Sequence, residues 1–196
     1  IRNAPETQLK AGIRDTLSKY TALFDWKLDA EHKGKRVDDF AYMMSEMAFN
    51  VIAYSEERSL KSRSFIRLLT QALVFGGLAM EIAGSSRPCS GTEHLFCHAL
   101  EEFYPEIKIS HGMAVAMGSI PACILQERDV MKLYRLCALF DLDINPEHYG
   151  ITKEIFVDCV KRASTTRKDR FTILNKADLS EERIGMIYEN MKRPIE

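Results

Sequence analysis

Apolar residues recur at intervals of three and four along most of this chain, and no alternating series is long enough to build a sheet. Leu9, Ile13, Leu17, Tyr20, Leu23 and Leu28 mark a helical run from about Thr7 to Glu31, opened by Pro5 and broken by Gly34. Phe40, Met43, Met47, Val51 and Tyr54 mark a second, Asp38 to Ser55. A third, from about Ser59 to Ala83, ends in the loop Gly84-Ser85-Ser86-Arg87-Pro88. Ser90 and Glu93 form an S-x-x-E capping box ahead of a fourth helix, about Gly91 to Phe103, which stops at Tyr104-Pro105. Ser110 caps a fifth, His111 to about Arg128, whose Gly112, Ala114, Ala116 and Gly118 suit close packing. Runs at Asp129–Phe140, Thr152–Ser164 and Ser180–Met191 complete the series, with Asn145-Pro146 as a turn and Phe171–Leu174 as a short extended piece. The expected fold is all-α, a non-symmetric multi-helix bundle with no internal repeat.

The chain's 196 residues, 46% hydrophobic and 28% charged, suffice for a globular core. Lysine and arginine (27) balance aspartate and glutamate (28), so no global field points to nucleic acid or anionic lipid, and neither partner is expected. Arg167-Lys168-Arg170 is a local basic cluster; solvated surface charge is the preferred reading over an anion site. Five cysteines without CxxC spacing fit free thiols in a reducing compartment. No signal peptide is expected at the start and no apolar run is expected to reach membrane-spanning length, so a cytoplasmic location follows as the expectation. The start, IRNAPETQLK, reads as an interior segment of a longer protein or a processed product.

Three of the five histidines fall between Gly84 and Ser119. His94 and His98 are four apart and share a helix face, so they can chelate one ion or set a ligand beside a reacting imidazole. His111 opens the next helix, where the dipole opposes protonation and favours the neutral ring that a metal needs. From spacing alone Asp15, Asp25, Glu46 and Glu93 are candidate oxygen ligands, with Glu93 better used at the helix N-terminus. Cys97 is a ligand thiol or a small buried hydrophobe. The bland alternative, two ordinary helix histidines, weighs about equally, because HxxxH alone is a weak signal. His32 and His148 read as surface residues.

The segments NAPETQLKAGIRDTLSKYTALFDWKL, GSSRPCSGTEHLFCHALE and HGMAVAMG resemble the carboxy-terminal helical domain of the sn-glycerol-1-phosphate dehydrogenase family. That family belongs to the superfamily of iron-containing alcohol dehydrogenases, glycerol dehydrogenases and dehydroquinate synthases. The resemblance covers essentially the whole chain. It implies a dehydroquinate-synthase-like C-terminal domain over residues 1–196, with an amino-terminal Rossmann-like domain outside the chain as its nucleotide-binding partner. It also implies metal ligation by Asp15, His94 and His111, an open fourth position, and zinc as the ion, with nickel or iron as alternatives. Lys19 stands where the iron-dependent branch has a further histidine. His98 falls beside the nicotinamide and the substrate.

The implied reaction is reduction of dihydroxyacetone phosphate to sn-glycerol 1-phosphate by NADH or NADPH, as part of phospholipid biosynthesis. His98 and Lys19 are the expected reaction-side groups. Ser85, Ser86 and Arg87 are candidate phosphate ligands, balanced against a plain helix connector whose arginine pairs with a carboxylate. Two departures stand out: Arg14 where the family motif has glycine, and Met113 where it has glutamate or glutamine. The alternatives are a polyol or alcohol dehydrogenase on an unphosphorylated substrate, and a non-catalytic helical interaction module. The resemblance also leaves room for a homo-oligomer.

Overall fold

A computed structural model describes residues 4–193, and within them every regular element is helical, with no strand. The helices are α1 (Glu6–His32), α2 (Asp39–Ala53), α3 (Arg63–Ala83), α4 (Thr92–Phe103), α5 (His111–Leu125), α6 (Val130–Leu139), α7 (Lys153–Arg162) and α8 (Glu181–Met191). Short 3-10 turns lie between them, including Arg87–Cys89 and Ile173–Asn175. The long α1 is the spine; α2, α3, α4 and α5 all pack on it.

Ile13 and Leu17 of α1 meet Leu69 of α3, Phe96 of α4, Met117 and Ile120 of α5 and Phe156 of α7 in one continuous core. A smaller cluster of Leu23, Trp26, Ala41 and Ala79 ties α2 and α3 to the second half of α1. All five cysteines are buried and free.

Every helix expected from the sequence is present, and the differences lie at the ends, where capping competes with other contacts. Asp38 caps α2 and Ser62 caps α3, so α3 begins after a loop that the apolar pattern had assigned to the helix. The capping box expected at Ser90 is half formed. Glu93 accepts the Gly91 N–H at 2.6 Å, but the Ser90 hydroxyl is engaged by Arg170 and Gly91 becomes the N-cap. Ser110 stands at the N-cap of α5 without a side-chain cap bond. Residues 171–174, expected to be extended, enter a 3-10 turn capped by Thr172.

One expectation is corrected outright. Helix α3 is long and apolar enough to cross a membrane, with a mean hydropathy of 1.5 over its best window. Its Phe65–Leu69–Ala72–Gly76–Ala79 face packs inside the bundle, while Val74, Leu78 and Ile82 stay exposed.

Candidate metal centre and adjoining cavity

Three glycines set the distance between the elements that carry the histidines. A Cβ on Gly112 would stand 2.9 Å from the Ala11 carbonyl, so the start of α5 abuts α1 one turn before Asp15. At Gly118 it would stand 2.7 Å from the Glu93 carbonyl, which holds α5 against α4 beside His94. At Gly91 it would meet the Asp25 carboxylate at 2.7 Å, so the entry to α4 also lies on α1. Only a hydrogen side chain permits these approaches without a shift.

The result is convergence. Asp15, His94 and His111, from α1, α4 and α5, each offer a ligand atom, and these atoms lie within 4.8 Å of one another. His94 Nε2 is 3.6 Å from Asp15 Oδ1, and the His94 and His111 ring centroids are 5.4 Å apart. Two imidazoles and one carboxylate, with a side left open, form the donor set a catalytic zinc ion takes. His98 shares the α4 face and stands 6.4 Å from His111 between ring centroids, beside the trio rather than within it.

Behind the donors stand carboxylates that fix the rings. The fully buried Glu93 accepts from His94 Nδ1 at 3.0 Å and from the Thr21 hydroxyl at 2.8 Å. Glu101 lies 3.5 Å from His111 Nδ1 and 3.4 Å from His98 Nδ1. Cys97, buried, stands 3.4 Å from His111 Nδ1. Cys97, Glu101 and His111 therefore form a second close group, but burial raises the thiol far above its ordinary value and keeps it a poor ligand.

Electrostatics follow the same geometry. Burial would raise the Asp15 carboxyl, but Lys19 and His94 hold it well below the usual range. Burial would lower His94, yet Asp15 and Glu93 raise it to about 9. Burial, partly offset by Glu101, lowers His98. Lys19 is almost fully buried and donates to the Asp15 carbonyl at 3.0 Å, with the Asp15 carboxylate at 3.4 Å.

Of the other carboxylates considered as ligands, Asp25 is fully buried and accepts the Thr92 and Ile173 N–H groups. Burial, then Glu93, pushes it up to about 6. Glu46 lies exposed on α2. Arg14 is buried near Tyr149 and Cys137 and does not reach the cavity.

A cavity of about 290 Å³ adjoins the donors, lined on one side by Asp15, Lys19, His94 and His98. Its other polar lining is Ser86, Ser90, Arg167 and Arg170. Arg170 is 7% exposed and donates to the Ser90 carbonyl at 3.1 Å, the Ser90 hydroxyl at 2.7 Å and the Ser86 hydroxyl at 2.5 Å.

Arg87 is absent from this lining. Its Nη2 donates to the Asp25 and Phe171 carbonyls and lies 3.6 Å from Asp29. Of the two readings that the sequence left for Arg87, the connector pairing is the one whose contacts are present. The Ser85 hydroxyl accepts from the Arg87 N–H, a contact within the loop. Arg167 and Arg170, part of a basic cluster whose preferred reading in the sequence is solvated charge, line the cavity from a segment more than 70 residues beyond His94.

The fold and site define a class: an all-helical domain in which a histidine–aspartate cluster able to hold a metal ion lies beside a cavity lined by Lys19, Arg167 and Arg170. The structure of glycerol dehydrogenase from Schizosaccharomyces pombe is similar over 98% of this chain and 52% of its own, with a TM-score of 0.72 and 20% identity. No family model matches the chain.

Among curated proteins, the glycerol-1-phosphate dehydrogenase [NAD(P)+] of Sulfurisphaera tokodaii is 36% identical over 93% of this chain and 52% of its own length. Those of Methanocorpusculum labreanum and Pyrobaculum aerophilum are 34% and 36% identical over 96% and 100% of the chain. The chain thus spans about half the length of the curated relatives it matches. Over nearly its whole length it is homologous to the glycerol-1-phosphate dehydrogenase [NAD(P)+] family, and its described residues are all-helical.

Proposed function

We propose that this chain is the metal-binding half of an NAD(P)-dependent dehydrogenase that reduces dihydroxyacetone phosphate to sn-glycerol 1-phosphate in the cytoplasm. The observation that carries the reading is the convergence of Asp15, His94 and His111 from three helices beside a cavity, in a chain homologous to glycerol-1-phosphate dehydrogenases. The nucleotide-binding half is proposed as a separate, amino-terminal Rossmann-like domain outside these residues.

In this reading Asp15, His94 and His111 hold zinc in preference to nickel or iron. The ion would supply Lewis acidity toward the ketone oxygen, and NADH or NADPH the hydride. The chain's own residues do the rest. Glu93 and Glu101 fix the ligand rings. His98, partly exposed at the cavity wall, orders water and passes a proton toward the oxygen that becomes the new hydroxyl. Lys19, whose ammonium is buried beside Asp15, adds positive charge where the oxygen gains negative charge. Ser86 stays on the substrate side, whereas Ser85 and Arg87 shape the loop that presents it.

The test is the catalytic efficiency of the full-length protein on dihydroxyacetone phosphate and on dihydroxyacetone. A site that desolvates groups meant for phosphate should favour the phosphorylated ketone by orders of magnitude, on the order of 10⁴. Equal efficiency on both ketones would assign the protein to polyol reduction instead. No turnover of either would leave a helical assembly module.

A further inference from the structure

Arg170 carries a positive charge that is 93% removed from solvent and, among the described residues, has no carboxylate within ion-pair distance. Its partners are the two hydroxyls and one carbonyl already named. Neighbouring charge makes this arrangement worse rather than better. Burial, followed by the guanidiniums of Arg167 and Arg87, pushes the Arg170 pKa down, and Asp169 and Glu93 offset this only in part. The other two arginines have their carboxylates, Asp29 for Arg87 and Asp169 for Arg167.

A buried cation held only by neutral hydroxyls and a carbonyl is costly, unless a counter-ion arrives from outside. The cavity wall is the side from which one can arrive, since Arg170, Arg167, Ser86 and Ser90 all line it. A guanidinium fork flanked by hydroxyls matches the oxygens of a phosphate, and Arg167, half exposed, can close over them.

We propose that Arg170 and Arg167, with the hydroxyls of Ser86 and Ser90, are the phosphate-reading group of this cavity and therefore the residues that set its substrate specificity. The proposal rests on the functional reading above and adds the residues that recognise a phosphate monoester. Arg170 is the anchor, pre-oriented by Ser86 and Ser90. Arg167 is the adjustable second cation, since Asp169 holds it only loosely at 3.5 Å. A dinucleotide pyrophosphate has the same chemistry, so the experiment must separate it from the ketone's phosphate.

Two measurements on the full-length, metal-loaded protein and its Arg167→Ala and Arg170→Lys variants provide the test. The first is binding of inorganic phosphate by calorimetry, repeated on metal-stripped protein so that ion coordination does not count. The second is the KM for dihydroxyacetone phosphate and for the coenzyme, with the preference over dihydroxyacetone. Each variant should weaken phosphate binding by about 10- to 100-fold and reduce the preference for the phosphorylated ketone by a similar factor.

The change should fall on the ketone's KM and not on the coenzyme's. Arg167→Ala, at a half-exposed position, keeps the test interpretable should Arg170→Lys fail to fold. Unchanged phosphate binding in the variants, no phosphate binding by the metal-stripped wild type, or a shift confined to the coenzyme's KM would each overturn the assignment. Phosphate binding that the variants weaken, in a protein that turns over neither ketone, would keep the site and remove the proposed reaction.

Discussion

Oε1 of Glu101 lies 3.5 Å from Nδ1 of His111, and that contact decides which nitrogen of the ring is left for an ion. A carboxylate only accepts, so Nδ1 carries the proton and Nε2 keeps the lone pair. Glu93 does the same for His94 from the opposite side, at 3.0 Å. Both rings are thereby fixed in the same tautomer by acids that are not themselves among the three donors.

Glu101→Gln should therefore lower zinc affinity by about 10- to 100-fold while helix content stays the same. An amide can offer its NH₂ as easily as its oxygen, so the ring loses its fixed orientation. Competition against a chelator of known affinity measures the effect. An affinity equal to the wild type's would mean that the Glu101 contact does not orient His111.

Metal content should depend on the two ligand imidazoles. His94→Ala and His111→Ala should each leave protein that binds less than one-tenth of the zinc bound by the wild type at matched concentrations, roughly the loss of one of three ligands. Elemental analysis of protein purified without chelator reads this directly. Full occupancy in either variant would remove that residue from the donor set.

The ion-free protein should show a pH signature from His94, whose pKa rises from 6.5 to about 9 between Asp15 and Glu93. A folded-state value above the unfolded one stabilises the fold fully below about pH 6.5. That stabilisation, on the order of a few kcal/mol, is lost as pH climbs through about 9. The melting temperature of ion-free protein should fall over that window. Zinc, which needs the neutral ring, should displace about one proton per ion at pH 7.5. Calorimetry in buffers of different ionisation enthalpy counts that proton.

Close packing at Gly118 can be tested separately from ligand chemistry. An alanine there places a methyl 2.7 Å from the Glu93 carbonyl and 3.0 Å from Phe96, so α5 must move away from α4. Gly118→Ala should cost about 1–3 kcal/mol of stability. It should also weaken zinc binding, because His111 rides on α5 and His94 on α4. A variant as stable as the wild type, with normal zinc binding, would mean that the two helices separate without disturbing the centre.

How much of this was legible in the sequence depends on the range of the interaction. Leu9 through Leu28 announce α1 because a 3.6-residue period is a local property, and caps and breakers, equally local, mark the later helices. The donors Asp15, His94 and His111 were reached through three local motifs, although their meeting depends on helix packing that no motif encodes. Side-chain partners across the chain were not legible. The Ser90 hydroxyl leaves its helix cap for Arg170, 80 residues away. Arg87, adjacent in sequence to two serines, turns to Asp25 and Phe171. Arg167 and Arg170 read as solvated charge in the sequence, yet both line the cavity, with Arg170 held there by Ser86 and Ser90.

His98 is the remaining test of how labour divides within the HxxxH pair. It is four residues from His94 on one face, yet its Nδ1 is 3.4 Å from Glu101 and it stands outside the close trio. An imidazole so placed can move a proton without holding the ion. His98→Ala should therefore retain zinc at the wild-type level and lose about 10²- to 10⁴-fold in turnover, the range for a positioned acid–base group. Its pH–rate profile for the reduction should also lose the alkaline limb, which a proton donor produces and which burial moves to lower pH by lowering the pKa of His98. Metal analysis and steady-state kinetics on one preparation of the full-length variant decide the matter. Loss of zinc would make His98 a ligand, whereas full turnover with full zinc would make it a bystander at the cavity wall.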